Sequence, residues 1–311
     1  MTVPGGTGSP LGAAAVVVVN YGSHALLERN LTRISAAVPE ALFVVVDNFS
    51  SADERDAIVH LGETHGWMII ALPTNTGFGN GVNAGADAAI AAGRSALLVL
   101  NPDATLERAS LEELISAVEH DHTLMVAPII RAPSGRLWFG GADLLLDDGR
   151  MSNPRRRAER ADRPYNEWIS GACFAISSEL WLRSGGFDPD YFLYWEDVDL
   201  SLRVQRAGGR LRVDPGSEAV HDEGGTHTQR LRWRAKSETY YYYNIRNRLY
   251  YAAKHVDARN RKRWLRETPL VSYEILLQGG RAQFLLPWIP LRAYLRGIRD
   301  GRRFIRSHPQ V

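Results

Sequence analysis

The chain has 311 residues, 45% of them hydrophobic, with 37 Lys and Arg against 35 Asp and Glu for a formal net charge of +2. That is apolar enough for a substantial core and excludes a globally disordered chain, and the near-balanced charge excludes electrostatic capture of nucleic acid by the chain as a whole. A single cysteine, Cys173, excludes an intrachain disulfide and a Cys-rich zinc module and fits a reducing cytoplasm.

Residues 1–12 read as a flexible Gly/Pro/Ser tail without the basic start of a secretory signal. Ala13–Asn20 is a continuous apolar, β-branched run, as expected of a strand buried on both faces. His24–Val38 has helical spacing and stops at Pro39. Ala41–Val46 is a second strand, ending in Asp47-Asn48. Asp53–Gly62 is helical and Trp67–Leu72 is a third strand. Asn75–Gly81 is a Gly-rich turn that opens an Ala-rich helix running to about Ala92. Ala96–Leu100 is a fourth strand, ending in Asn101-Pro102-Asp103, and Leu111–His120 is another helix. The alternation predicts an α/β fold with a doubly wound, mostly parallel sheet. Ligands of such sheets bind beyond the carboxyl ends of the strands, where Asn20, Asp47, Asn48, Asn101 and Asp103 stand.

The second half reads as mixed. Arg136–Asp148 alternates like a hairpin, and the stretch 150–163 is a loop with six arginines. Ile169–Ile176 reads as a central strand and Phe192–Ala207 as a helix stopped by Gly208-Gly209. Arg210–Val213 and Glu218–His221 read as two short strands, and Glu238–Lys254 as a Tyr-rich helix. Beyond Arg259 the tail is basic and helical. From Arg281 to Val311 it holds seven arginines and one acid, Asp300. Its apolar stretch Phe284–Leu291 is about eight residues, against the roughly 20 needed to span a bilayer. A cytoplasmic protein, soluble or peripheral on the inner face of the plasma membrane, is the expectation.

Several motifs bear chemistry. The loop Asn75-Thr76-Gly77-Phe78-Gly79 exposes backbone N–H groups at a helix start, which suits phosphates, although a plain strand-to-helix turn is the competing reading. Asp47 at a strand tip suits a nucleobase N–H or a ribose, or an Asx turn. In Asn101-Pro102-Asp103 the proline stiffens the turn that projects Asp103, a hard oxygen ligand for a divalent cation on a diphosphate. His221 after a short strand suits a second ligand. The most specific segment is Tyr191-Phe192-Leu193-Tyr194-Trp195-Glu196-Asp197-Val198-Asp199, in which aromatics run into three acids at a helix start. Glu196 and Asp199 share a helix face and Asp197 points about 100° away. Their mutual repulsion pushes at least one pKa upward, as a general base requires. Cys173 reads as a core thiol.

Taken in order, Asn20-Tyr21, Asp47-Asn48, Asn75-Thr76-Gly77-Phe78, Asn101-Pro102-Asp103, Ser170-Gly171-Ala172, Gly186-Phe187-Asp188, Glu196-Asp197-Val198-Asp199 and His221 resemble glycosyltransferase family 2. These are inverting enzymes with a GT-A-type fold, and rhamnosyltransferase-like bacterial members are most similar. The resemblance runs from about Val16 to Tyr251. It implies a donor site of Asn20, Tyr21, Asp47, Asn48, Asn75, Gly77, Phe78, Asn101 and Asp103. It also implies Mg²⁺ or Mn²⁺ on Asp103 and His221, with Asp197 as base beside Glu196. An acceptor site is expected at Trp168, Gly171, Ala172 and Trp195. Asn101 departs from the family pattern, replacing the first acid of its Asp-X-Asp metal motif. The implied division is a nucleotide-sugar-binding half at 13–125, an acceptor-binding and catalytic half at 126–258 and a basic helical extension at 259–311.

The implied reaction moves a sugar, L-rhamnose from dTDP-rhamnose, onto a saccharide acceptor linked to a polyprenyl diphosphate, in cell-wall or surface polysaccharide synthesis. A UDP-linked hexose or galactofuranose donor is the alternative, and a non-catalytic nucleotide-sugar-binding protein is the alternative of another class. The arginines of 150–163 suit the acceptor's phosphates. For the C-terminal tail three readings stay open: a membrane surface, a homodimer contact or a solvated helix.

Overall fold

The computed structural model describes residues 9–222, 236–280, 283–284 and 288–307. In chain order the strands are β1 (Ala14–Asn20), β2 (Leu42–Asp47), β3 (Met68–Ala71), β4 (Ala96–Leu100), β5 (Ala104–Leu106), β6 (Leu124–Arg131), β7 (Leu137–Phe139), β8 (Ala142–Leu145), β9 (Met151–Ser152), β10 (Tyr165–Trp168), β11 (Cys173–Ser177) and β12 (Arg210–His221). The helices are α1 (His24–Leu26), α2 (Thr32–Ala37), α3 (Ala52–His65), α4 (Phe78–Ala91), α5 (Arg108–His120), α6 (Ser178–Ser184), α7 (Glu196–Arg206), α8 (Glu238–His255), α9 (Ala258–Leu277) and α10 (Trp288–Ser307). A π turn at Leu27–Leu31 joins α1 to α2.

The chain divides into two compact units. The first comprises Met1–Gly140, Ile169–Pro189 and Leu200–Thr228, and the second Gly141–Trp168, Asp190–Asp199 and Gln229–Val311. Both are discontinuous, where the sequence pattern suggested successive segments. The expected extension at 259–311 belongs to the same unit as α8.

The first unit is built on one sheet in the order β3-β2-β1-β4-β11-β6-β12-β5, with β7 added to β6. The β3-β2-β1-β4 portion is parallel, as the βα alternation predicts. β11 is antiparallel to both β4 and β6, β12 is parallel to β6, and β5 is antiparallel to β12. Every residue of β1 is buried, which accounts for its unbroken apolar run. Helix α4 lies close on β1 because glycines face the sheet: a Cβ at Gly85 would come within 2.5 Å of Val17 and 2.9 Å of Val46. This approach sets the N-terminus of α4 beside the carboxyl ends of β1 and β2.

Several expectations change here. Residues 1–8 of the expected flexible tail lie outside the described residues. Pro10–Ala13 form a 3-10 helix with Leu11 fully buried, which anchors the end of the expected tail. The expected hairpin at 136–148 is not one. β7 pairs with β6 in the large sheet, whereas β8 lies between β10 and β9 in a separate three-stranded sheet of the second unit. The two short strands expected at 210–221 are one strand, with a bulge between Asp214 and Glu218. β5 was not anticipated. The helix expected from Phe192 begins only at Glu196, because Tyr194 and Trp195 take left-handed backbone with φ of 66° and 74°.

The second unit joins that small sheet to α8, α9 and α10. Arg248 of α8 is buried, with its guanidinium 4.7 Å from the Trp264 ring centroid of α9, and it donates to the carbonyls of Asp148 and Gly149. Helices α8 and α10 pack closely at two glycines. A Cβ at Gly297 would lie 3.0 Å from Ile245, and one at Gly301 would lie 2.8 Å from Leu249. Among the described residues, no helix is long and apolar enough to cross a membrane.

Candidate active site

The strand ends of the first unit gather most of the expected donor residues. Asn20 ends β1 and Asp47 ends β2, directly paired in register. Asn20 is fully buried, donating to Glu54 Oε1 at 3.0 Å, while its own Oδ1 lacks a hydrogen-bond partner. Glu54 is an unanticipated member of this cluster. Burial works against its charged form, but hydrogen bonds from His24 and Asn20 hold its carboxyl below the usual range. Asp47 is also fully buried and already engaged: Oδ1 accepts from Phe49 N at 3.1 Å and Oδ2 from Arg55 Nε at 2.5 Å. The Arg55 guanidinium lies 4.8 Å from the Phe49 ring centroid, and Phe49 has a positive φ of 40°. Tyr21, by contrast, is 55% exposed and presents its ring to solvent.

Asn48 and Asn75 have mainly a structural place. Asn48 Nδ2 donates to Asn75 Oδ1 at 3.1 Å and to Gly77 O at 3.0 Å, and its Oδ1 accepts from Thr76 N at 2.9 Å. Asn75 Oδ1 also accepts from Gly77 N at 2.9 Å. These amides knit the loop to β2, so their own polar atoms are committed. Gly77 adopts φ +89° at the start of α4. The Phe78 ring packs on Phe187, 5.8 Å between centroids. Phe187 itself is held by Asn83 through both its N–H and its carbonyl, which makes Gly186-Phe187 a packing motif.

At the end of β4, Asn101 N donates to Ala172 O at 2.9 Å, drawing Gly171-Ala172 alongside Asn101. Asp103 lies one residue before β5, and His221 ends β12. The antiparallel pairing of Ala104 with His221 brings their side chains together. Asp103 Oδ1 and His221 Nε2 are 3.0 Å apart and both residues are buried. The contact is not aligned as a hydrogen bond, and both His221 ring nitrogens lack hydrogen-bond partners. The Trp138 ring packs against the imidazole at 4.5 Å. Two donor atoms each about 2.1 Å from one divalent cation, at a right angle, stand roughly 3 Å apart. A carboxylate and a neutral imidazole so disposed fit such an ion, with the remaining positions left to other oxygens. No cluster of three or more protein ligands occurs among the described residues.

The acid triplet lies in the second unit, at the start of α7, and its three carboxyls differ. Asp199 is fully buried and accepts His255 Nε2 at 2.6 Å. Glu196 is buried with Oε2 lacking a partner. Burial, reinforced by repulsion from Asp197 and Asp199, pushes its carboxyl well above the usual range. Asp197 is the one partly exposed member, its Oδ1 accepting from Val198 N at 2.8 Å. The raised pKa anticipated for the triplet therefore falls on Glu196. The bend before it is braced by α8: Asn247 Nδ2 donates to Leu193 O at 2.9 Å and Tyr194 O at 2.7 Å. Trp195 is buried against Tyr251 and Trp264, which makes it part of the packing beneath the bend.

Trp168 ends β10 in the second unit, as does Trp195 in the bend, whereas Gly171 and Ala172 belong to the first unit. Burial pushes the Cys173 thiol up to about 12, consistent with a core position. Four of the arginines at 150–163 are in local ion pairs: Arg150 with Asp148 and Glu274, Arg156 with Glu159, Arg157 with Asp143 and Glu167, Arg163 with Asp147 and Asp148. These pairs give the arginines concerned a structural place in the loop. Asn247, His255, Glu54 and Arg55 were not foreseen. Asn247 and His255 are eight residues apart on α8, a spacing that repeats a helix face, but nothing local marks that face as meeting the acids.

The family described as Glycosyl transferase family 2 matches residues 15–183, more than half of the chain. The chain is 30% identical over 234 residues to an N-acetylglucosaminyl-diphospho-decaprenol L-rhamnosyltransferase of Mycobacterium tuberculosis, a match covering 66% of this chain and 75% of that protein. It is 25% identical over 246 residues to the low-salt glycan biosynthesis hexosyltransferase Agl10 of Haloferax volcanii, covering 75% of this chain and 73% of that one. Among solved structures, it resembles the mannosyltransferase PcManGT from Pyrobaculum calidifontis in complex with GDP-Man and Mn²⁺. The TM-score is 0.55 at 16% identity, with 92% of this chain and 86% of that one covered. The mixed, mostly parallel sheet is the GT-A architecture, and the chain belongs to glycosyl transferase family 2.

Proposed function

We propose that this glycosyltransferase transfers L-rhamnose from dTDP-rhamnose, with inversion, to a saccharide carried on a polyprenyl diphosphate. The rhamnosyl group and the lipid-linked acceptor are supported by the similarity to the mycobacterial N-acetylglucosaminyl-diphospho-decaprenol L-rhamnosyltransferase. The observation that carries the catalytic reading is the inequality within the acid triplet. Asp199 is buried against His255, and Glu196 is buried with its carboxyl pushed well above the usual range, whereas Asp197 is the partly exposed member of the three.

In this mechanism the exposed Tyr21 and the Asn20, Asp47 and Arg55 group take the nucleoside, and the backbone at Gly77 opens the helix terminus to negative charge. Asp103 and His221 would hold Mg²⁺ or Mn²⁺, which when bound neutralises charge developing on the departing diphosphate. The acceptor hydroxyl oxygen attacks the anomeric carbon as the bond to the nucleoside diphosphate breaks. Asp197 takes the hydroxyl proton, and the single displacement inverts the anomeric centre. Burial and repulsion from Asp197 and Asp199 disfavour the charged form of Glu196 beside the base.

Two measurements test the reading. Asp197→Asn keeps shape and removes the base, so kcat should fall by about 10²–10⁴; transfer near the wild-type rate overturns the assignment. A thermal-shift comparison of dTDP-rhamnose with UDP-linked hexoses, with and without Mn²⁺, should favour dTDP-rhamnose, which at a hundredfold excess over its Kd stabilises the fold by about 2.7 kcal/mol relative to the unliganded protein. Asp103→Ala should abolish the Mn²⁺-dependent part of that shift. Equal stabilisation by UDP-linked sugars would displace the rhamnosyl donor.

A further inference from the structure

Helix α10 buries one face and leaves the opposite one unpartnered among the described residues of its unit. Pro290, Ala293, Gly297 and Gly301 turn inward. On the outward side, Trp288, Arg292, Leu295, Arg299, Arg302 and Arg306 fall within an arc of about 100° at 100° per residue. Trp288 is 77% exposed and Leu295, two turns further on, is 59% exposed.

The charge on this helix is not balanced locally. It holds six arginines against Asp300 alone. Arg292 and Arg296 share Glu238, and Arg299 and Arg303 share Asp300. Arg302 and Arg306 have no carboxylate partner among the described residues. Arg299, Arg302, Arg303 and Arg306 line a groove of about 580 Å³ whose apolar walls are Pro269 and Ile298. Leu270 and Tyr273 of α9 continue the exposed apolar surface beside Pro269. In this groove four guanidinium groups converge on the single carboxylate of Asp300.

We propose that this α9–α10 face docks on an anionic phospholipid bilayer. Trp288 and Leu295 enter the headgroup boundary and the arginine groove takes lipid phosphates. A tryptophan and a leucine at one end of an arginine face match an interfacial helix, whose apolar groups reach the acyl boundary while guanidinium groups remain with the headgroups. A bilayer rather than a protein groove is favoured by charge complementarity, since a second copy of this chain would bring six like-charged arginines against these six. The inference is independent of the donor and acceptor chosen above.

The test is flotation of the full chain with phosphatidylcholine vesicles, with and without phosphatidylglycerol, at low and high salt. Binding should require phosphatidylglycerol and weaken with salt. Arg302→Gln and Arg306→Gln should each lower the partition coefficient about fivefold, equivalent to about 1 kcal/mol. Trp288→Ala should weaken binding at both salt concentrations, and all three exposed sites should leave Tm unchanged. Flotation equal on neutral vesicles, or unaltered in the three variants, overturns the proposal. So does a dimer by sedimentation that Trp288→Ala dissociates, because the same face would then serve self-association.

Discussion

Glu196 shows how three adjacent acids come to differ. Burial raises the free energy of its charged form, and the nearby Asp197 and Asp199 carboxylates add repulsion. Its pKa is higher in the folded than in the unfolded chain, so the folded state binds the proton more tightly. The associated stability is complete below the unfolded value near 4.5 and is lost as pH rises towards the folded one. Glu196→Gln removes the ionisation while keeping the shape. At neutral pH the variant should be the more stable protein; a gain of about 1 kcal/mol corresponds to roughly 2–4 °C in Tm. The advantage should vanish as the pH is lowered to the unfolded pKa. A Tm difference that does not change with pH would show that Glu196 ionises normally in the fold.

At the scale of elements, the bend before α7 depends on α8. Left-handed backbone at two bulky residues, Tyr194 and Trp195, costs on the order of 1–3 kcal/mol each and persists only where surrounding contacts over-determine it. Asn247 supplies two such contacts through the carbonyls of Leu193 and Tyr194, and Tyr251 and Trp264 supply the packing under Trp195. Asn247→Ala should let the bend relax and misplace Asp197 without touching substrate. The expected result is a fall in kcat approaching 10²-fold, with the KM for the donor unchanged. A lowered Tm with normal kcat would assign Asn247 to folding alone. His255, further along the same helix, pairs with the buried Asp199 and so ties the third acid to α8.

For the whole molecule, the legible part of the sequence was its local periodicity. The runs forming β1, β2, β3 and β4 with their intervening helices announce the parallel half of the sheet because each strand is buried on both faces. The antiparallel entry of β11 between β4 and β6 was not legible, since pairing over such sequence separations leaves no periodic trace. The Asp103–His221 pair was half legible: the two residues stood out singly, but their approach depends on the three-residue β5, too short to read. The bracing of the acids was illegible, because Asn247 and His255 lie some 50 residues downstream in a helix whose tyrosines dominate its pattern. The glycine contacts of α10 carry one last consequence. A fragment ending before Trp288 would lose more than the outward arginines: it would strip the cover from Ile245 and Leu249 on the helix that also carries Asn247 and His255. Truncation would thus confound membrane attachment with the integrity of the catalytic bend, and only substitutions confined to the outer side chains can separate the two.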